Sequence, residues 1–196
     1  MKAGWELKSL GDICSIVSGS GFPKRFQGKT AGEYPFFKVG DMNTLGNETN
    51  LSIANNYISE TIRKELGARI VPQNSVVFPK VGGAISTNKK RQLAHPSCID
   101  NNVMGLVPNQ ETIDPSYLFA WMQGVDIYEF SNKAALPSIT KTTVQAWPIP
   151  LPPLAEQKRI VSILDEAFEG LDRARENAEA NLKSARELFE NYREAY

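Results

Sequence analysis

Over the last quarter of the chain, apolar side chains return at heptad spacing. With Leu164 set as position d, the d series is Gln157, Leu164, Leu171, Ala178, Ala185 and Tyr192. The a series is Val161, Phe168, Arg175, Leu182, Phe189 and Tyr196. Ten of these twelve are apolar or aromatic, which predicts a coiled-coil seam rather than one face on a globular core. Leu154 to Tyr196 contains no proline and a single glycine, Gly170, so one uninterrupted helix is expected. At ~1.5 Å per residue it would reach about 60 Å, too long for its own domain to cover. Ala178 and Ala185 admit a close partner, and Arg175 is a polar a residue that selects one pairing at some cost in stability.

The e positions set the expected direction of pairing. Asp165, Asp172 and Glu179 are acidic, whereas Arg186 and Arg193 are basic. Two antiparallel copies would oppose 165 to 193 and 172 to 186, opposite charges each time. The g positions, Ile160, Ala167, Ala174, Asn181, Leu188 and Ala195, are mostly apolar, so a parallel pair would strand the e charges. Antiparallel pairing is favoured, although exposed ion pairs contribute only ~0.2–1 kcal/mol each.

Before the helix, Pro148, Pro150, Pro152 and Pro153 fix φ and remove N–H donors, which holds the entering chain as an extended strap. The part up to Pro153 alternates short signals of both kinds, an α+β (mixed) domain. Leu7 to Ile13 reads as a short helix with Ser9 or Asp12 near a cap, leading into a strand at Cys14–Ser18. Ser18-Gly19-Ser20-Gly21-Phe22-Pro23 is a loop by composition. Tyr34–Val39, Ser75–Phe78 and Asn102–Val107 read as strands. Ser59 caps a helix to Leu66, Pro115 opens one near Ser116–Gly124, and Ile127–Asn132 reads as helical. The division expected is residues 1–153 as one domain and residues 154–196 as the helix.

Composition narrows the function. The 196 residues are 41% hydrophobic and 22% charged, an ordinary globular balance. No apolar run approaches the ~20 residues of a membrane span, and Met1-Lys2-Ala3-Gly4-Trp5-Glu6 lacks a signal-peptide core; a cytoplasmic location is expected. Cys14 and Cys98 stand alone, which predicts reduced, buried thiols. From Ala155 on there are 7 basic and 10 acidic residues, leaving 15 basic and 12 acidic before it. A net of +3 suits nucleic acid but falls short of unaided DNA gripping.

Catalytic patterns are missing. His95 is the sole histidine, which removes His-paired metal sites and nearly all Ser–His or Cys–His mechanisms. Gly28-Lys29-Thr30 imitates the end of a phosphate-binding loop, but Pro23 occupies the position of its first glycine. Gly82-Gly83-Ala84 lacks the dinucleotide context. Glu156-Gln157-Lys158 begins a helix rather than lying on the strand a nuclease motif needs. Neither catalysis nor a bound cofactor or metal is expected of this chain.

The string Ile149-Pro150-Leu151-Pro152-Pro153-Leu154-Ala155-Glu156-Gln157-Lys158-Arg159-Ile160-Val161 with Ile163-Leu164-Asp165 resembles the junction of recognition domain and spacer helix in type I restriction–modification specificity subunits. Trp5 with Leu10-Gly11-Asp12-Ile13, Phe36–Asp41, Ser75–Lys80 and Ala135–Ile139 match more weakly. Family members usually carry two recognition domains and two helices, whereas this chain has one of each and looks like a half subunit. The resemblance implies a DNA-recognition subunit that selects the target for a partner modification subunit, which binds S-adenosylmethionine and methylates adenine. A separate restriction subunit would cut. It also implies antiparallel helices, so a homodimer would read two inverted half-sites. The alternative is a truncated assembly or decoy protein, whose helix captures a full-length partner without supporting methylation.

Base edges are read by Arg, Lys, Asn, Gln, Ser and Thr, and phosphates by Lys, Arg and backbone N–H groups. Three loops offer such residues: Lys24, Arg25, Gln27 and Lys29; then Ser86, Thr87, Asn88, Lys89, Lys90 and Arg91; then Ser138, Thr140 and Lys141. Leu154–Ile163 and the apolar g stripe are a candidate docking surface for the modification subunit.

Overall fold

A computed structural model describes residues 4–195; Met1, Lys2, Ala3 and the expected seam residue Tyr196 lie outside the described residues. In chain order the elements are β1 (Glu6–Ser9), α1 (Leu10–Ile13), β2 (Cys14–Ser18), β3 (Tyr34–Phe37), β4 (Asn50–Leu51), β5 (Tyr57–Ile58) and α2 (Glu60–Glu65). They continue with β6 (Val76–Pro79), β7 (Arg91–Leu93), β8 (Cys98–Ile99), β9 (Val103–Pro108), α3 (Pro115–Gln123), α4 (Lys141–Gln145), β10 (Pro148–Leu151) and α5 (Leu154–Ala195). Short 3₁₀ turns occupy Lys24–Phe26, Val39–Asn43, Gly82–Thr87 and Ile127–Phe130.

The main sheet has the order β2-β9-β6-β7-β4. Its first four strands pair antiparallel and β4 joins β7 in parallel. A second sheet, β5-β3-β8, pairs antiparallel on one side and parallel on the other. Strands β6 and β9 are buried along nearly their whole length, as Val76, Val77, Phe78, Val103, Met104 and Leu106 show. Apolar runs of this kind specify strands covered on both faces. Phe37, Leu51, Val71, Val77, Leu93 and Ile99 form one core cluster and Phe36, Ile58, Ala68 and Cys98 a second. Each large side chain buried this way contributes ~1.5–3 kcal/mol.

Helix starts follow from their caps. The Ser59 hydroxyl accepts from the Ile62 N–H at 3.4 Å, as expected. Asp114 caps α3 through the N–H groups of Ser116 and Tyr117 while Pro115 fills the first helical position.

Three expectations need correction. Helix α1 covers only Leu10–Ile13, because Glu6–Ser9 is drawn into pairing with β10. The strand expected to run from Tyr34 to Val39 stops at Phe37, where the Asp41 carboxylate accepts the Lys38 N–H at 2.6 Å and tightens the chain into a 3₁₀ turn. The helix expected over Ile127–Asn132 is a four-residue 3₁₀ turn capped by Asp126.

The proline strap is itself a strand, antiparallel to β1 with Glu6 opposite Leu151 and Lys8 opposite Ile149. Prolines are tolerated there because they alternate. In an antiparallel pair every second residue turns its backbone groups away from the partner. Pro150 does so, since its carbonyl accepts the Tyr117 hydroxyl at 2.7 Å.

The chain divides into two compact units, the first ending at Gln157 and the second beginning at Lys158. The first unit extends four residues beyond the expected limit at Pro153. Gln157 is fully buried, accepts from the Asp114 N–H at 2.7 Å, and donates to the carbonyls of Thr112 and Pro152 at 3.1 and 2.8 Å. These bonds hold the first turn of α5 to the domain that precedes it. The second unit is helical over its described residues, to Ala195, and leaves Phe168, Leu171, Leu182, Phe189 and Tyr192 more than half exposed.

Among the described residues no helix is long and apolar enough to cross a membrane. No group of three or more His, Cys, Asp or Glu among them could hold a metal ion. Burial pushes the Cys14 thiol up to about 12 and the Cys98 thiol up to about 11.

Candidate nucleic-acid interface

The strand directions gather one set of loops at one rim of the first unit. β2 and β6 both run antiparallel to β9, so their C-terminal ends lie beside its N-terminal end. The chain leaving β2, the Lys80–Lys90 connection to β7 and the Asp100–Asn102 turn into β9 therefore share that rim. β8 runs into the same turn, and β3 is parallel to β8, which brings Lys38–Asn43 there too. β5 opposes β3, so the chain entering it, Asn55-Asn56, completes the group.

Direct bonds tie the rim together. Ser20 bridges to Asp100 and donates its N–H to the Ile99 carbonyl at 3.0 Å. A Cβ on Gly19 would lie 2.0 Å from the Asp100 carbonyl oxygen, so only glycine lets the first loop pass so close. Val81 bridges to Ser138, Gly82 donates to the Pro137 carbonyl at 2.7 Å, and Ile139 donates to that of Lys80 at 2.9 Å. The second and third candidate loops are thus zipped side by side.

The predicted site residues fare differently. The ammonium groups of Lys24, Lys29 and Lys141 are exposed with no partner among the described residues. Arg25 is exposed but pairs with Glu65 at 2.7 Å and lies over the Phe26 ring. Ser86 and Thr87 are exposed, and the Thr87 hydroxyl donates to the Ala84 carbonyl at 2.7 Å. Ser138 accepts from the Asn132 amide at 3.1 Å. Thr140 caps α4 through the Thr143 N–H at 3.1 Å. Lys89 donates to the Asn43 side chain.

Four assignments point inward instead. Lys90 is 2% exposed, and its ammonium donates to Asn88 Oδ1 at 3.0 Å and the Val125 carbonyl at 2.7 Å. Burial pushes its pKa down. It is an internal strut, not a phosphate contact. Arg91 is half-buried and donates to the backbone carbonyls of Asn47, Lys90 and Met42, so its guanidinium closes the turn around residue 47. Asn88, at φ 52°, accepts from both Lys90 and the Ile127 N–H. Gln27 donates to the Phe22 carbonyl at 2.7 Å and accepts from Lys38 at 3.1 Å.

Two features went unpredicted. Lys80 follows β6 at the rim and donates to the Ser18 hydroxyl at 3.2 Å. A lysine directly after the strand Val76–Pro79 is the signal that could have found it. The second is a polar network under the first loop. Asp41, 2% exposed, accepts from the backbone N–H groups of Lys38 and Asn55 and from the Asn55 amide at 2.6 Å. Asn56 Oδ1 accepts the Gly28 N–H at 2.8 Å. Nearby, burial raises the Asp100 pKa against the opposing hydrogen bonds from Asn102. Only the adjacent Asn55-Asn56 pair hinted at this in the sequence.

Comparison with known proteins matches this architecture. The sequence fits the family described as type I restriction modification DNA specificity domain over residues 2–182. It is 21% identical over 194 residues to the type I restriction enzyme MjaIX specificity subunit of Methanocaldococcus jannaschii, covering 96% of this chain and 43% of that protein. The chain spans about two fifths of the length of the curated relatives it matches. Among solved structures, the fold resembles the HsdS subunit from Thermoanaerobacter tengcongensis, with TM-score 0.67, 22% identity, and coverage of 88% of this chain and 39% of that one. It also resembles a chain from a structural study of complex assembly and conformational transition of the type I R-M system. There the TM-score is 0.71 and the identity 23%, covering 93% of this chain and 44% of that one.

Proposed function

The chain belongs to the type I restriction modification DNA specificity domain family, and we propose that it chooses the DNA site at which a partner adenine methyltransferase acts. The convergence of three polar loops on one rim carries this reading. Lys24, Lys29 and Lys141 are suited to phosphates, and Ser86, Thr87 and Ser138 to base edges or sugar oxygens. Lys80 joins them as a further contact.

In this reading the chain performs no chemistry. S-adenosylmethionine belongs to the modification subunit, cleavage belongs to a restriction subunit, and this chain supplies register. The apolar stripe of α5 mates with a second copy running antiparallel, which offers two inverted half-sites to palindromic DNA. Leu154–Ile163 and the apolar g positions are the proposed docking strip for the modification subunit.

Coexpression with the modification subunit, followed by mapping of methylated adenines, tests the proposal. A new methylated motif with two inverted halves is expected. No new motif from a stable complex would favour a decoy that captures its partner without directing methylation.

A further inference from the structure

A cavity of about 210 Å³ opens at the rim, lined by Lys38, Gly40, Asp41, Asn55 and Asn56. It is smaller than the ~300–1,000 Å³ of a pocket that engulfs a drug-sized ligand, and so suits one edge of a planar group rather than a whole nucleotide. The orientations of its two amides are fixed by their partners. Asn56 receives a backbone N–H from Gly28, so the atom facing Gly28 must be Oδ1, and Nδ2 is left over as a donor. Asn55 faces the Asp41 carboxylate, so Nδ2 points there and Oδ1 is left over as an acceptor. Neither leftover atom has a hydrogen-bond partner among the described residues, although Asn56 is only 7% exposed. Asn56 Nδ2 is not among the buried side-chain atoms left without a partner, so it faces the open side of the cavity, where an arriving group can exchange with solvent for it.

We propose that this cavity is a base-reading pocket, in which Asn56 Nδ2 and Asn55 Oδ1 take the acceptor and donor of one nucleobase edge. The proposal rests on the DNA-selecting role argued above and locates one of its specificity determinants. An adjacent acceptor and donor is the pattern that adenine presents in the major groove, N7 beside N6–H₂. The floor is rigid. Asp41 fastens Asn55 through two bonds, Lys38 holds Gln27, and Phe22 stacks on Phe36 with centroids 4.0 Å apart. The pocket is therefore shaped before DNA arrives, with little ordering left to oppose binding.

Asn56→Asp is the informative variant. It keeps the acceptor for Gly28 and the side-chain shape while replacing the free donor by an acceptor. Gly40→Leu is the independent one. A Cβ at Gly40 meets nothing within 4 Å and its φ is not positive, so a side chain can fill the mouth while the network stays intact. Both variants are assembled with the modification subunit, their melting temperatures are compared with wild type, and methylated adenines are mapped on genomic DNA. With melting unchanged, Asn56→Asp is expected to lower methylation at the wild-type motif about ten- to hundredfold and to change or relax one motif position. Gly40→Leu is expected to lower methylation similarly. Wild-type rates and an unaltered motif in Gly40→Leu, or in a stably folded Asn56→Asp, would overturn the pocket and leave the site-selecting role standing. A wild-type complex that methylates no defined motif would overturn both.

Discussion

At the scale of single residues, exposure and bonding separate lysines that sequence alone treats as equals. Lys89 and Lys90 are neighbours in a basic run, yet the Lys90 ammonium is enclosed by Asn88 and Val125. Truncating it leaves a cavity and an unsatisfied Val125 carbonyl. Lys90→Ala should cost about 2–4 kcal/mol of stability, read from a lower urea midpoint. Lys24→Ala and Lys141→Ala should leave that midpoint in place and weaken DNA binding by the assembled complex. Unchanged stability in Lys90→Ala together with lost DNA affinity would return Lys90 to the surface. The basic run was legible as composition, but its inward turn was not, because it depends on the αL residue Asn88 and on a carbonyl 35 positions away.

Among elements, α5 was the most legible and β10 the least. The helix announces itself through a local repeat, and neither proline nor glycine interrupts it apart from Gly170. The strap looked like a linker, since its partner β1 lies about 140 residues earlier and no local pattern names such a pairing. That same distant pairing took Leu7–Ser9 out of the expected helix. For α5, antiparallel pairing sets position 179 against itself at the two-fold axis. Two Glu179 carboxylates would meet there, and Arg175 already donates to its own Glu179 at 2.9 Å. The polar seam residue therefore offsets the one like-charge contact in the proposed pair. Leu171 and Leu182 are 64% and 54% exposed, and burying each contributes ~1.5–3 kcal/mol. Leu171→Asp with Leu182→Asp should yield a monomer by analytical ultracentrifugation; a persistent dimer would move the interface elsewhere.

For the whole molecule, charge sets the limit on what the chain does alone. The part before Ala155 has only three more basic than acidic residues, and the structure withdraws Lys90 and Arg91 from the surface supply. Few phosphates remain to be neutralised by this chain itself, and affinity for DNA scales with that number. The isolated chain should bind DNA weakly and with a shallow salt dependence. Site-specific binding should emerge once the modification subunit is added, as titrations at several salt concentrations would record. Tight, sequence-selective binding by the chain on its own would contradict this division. The α+β class and the three polar loops were legible at this scale. Their meeting at one rim was not, because it follows from strand directions that only the pairing reveals.

The β1–β10 pair has one more consequence. With Glu6 opposite Leu151, the first and last strands of the first unit lie together at a common seam, as the ends of an insertable cassette do. In the proposed DNA-selecting role, a genetic exchange cut on both flanks of that seam would transplant one recognition unit and ask the recipient to re-form one short ladder. New targets could then be acquired by shuffling, while the helix proposed to mate with partners is inherited unchanged.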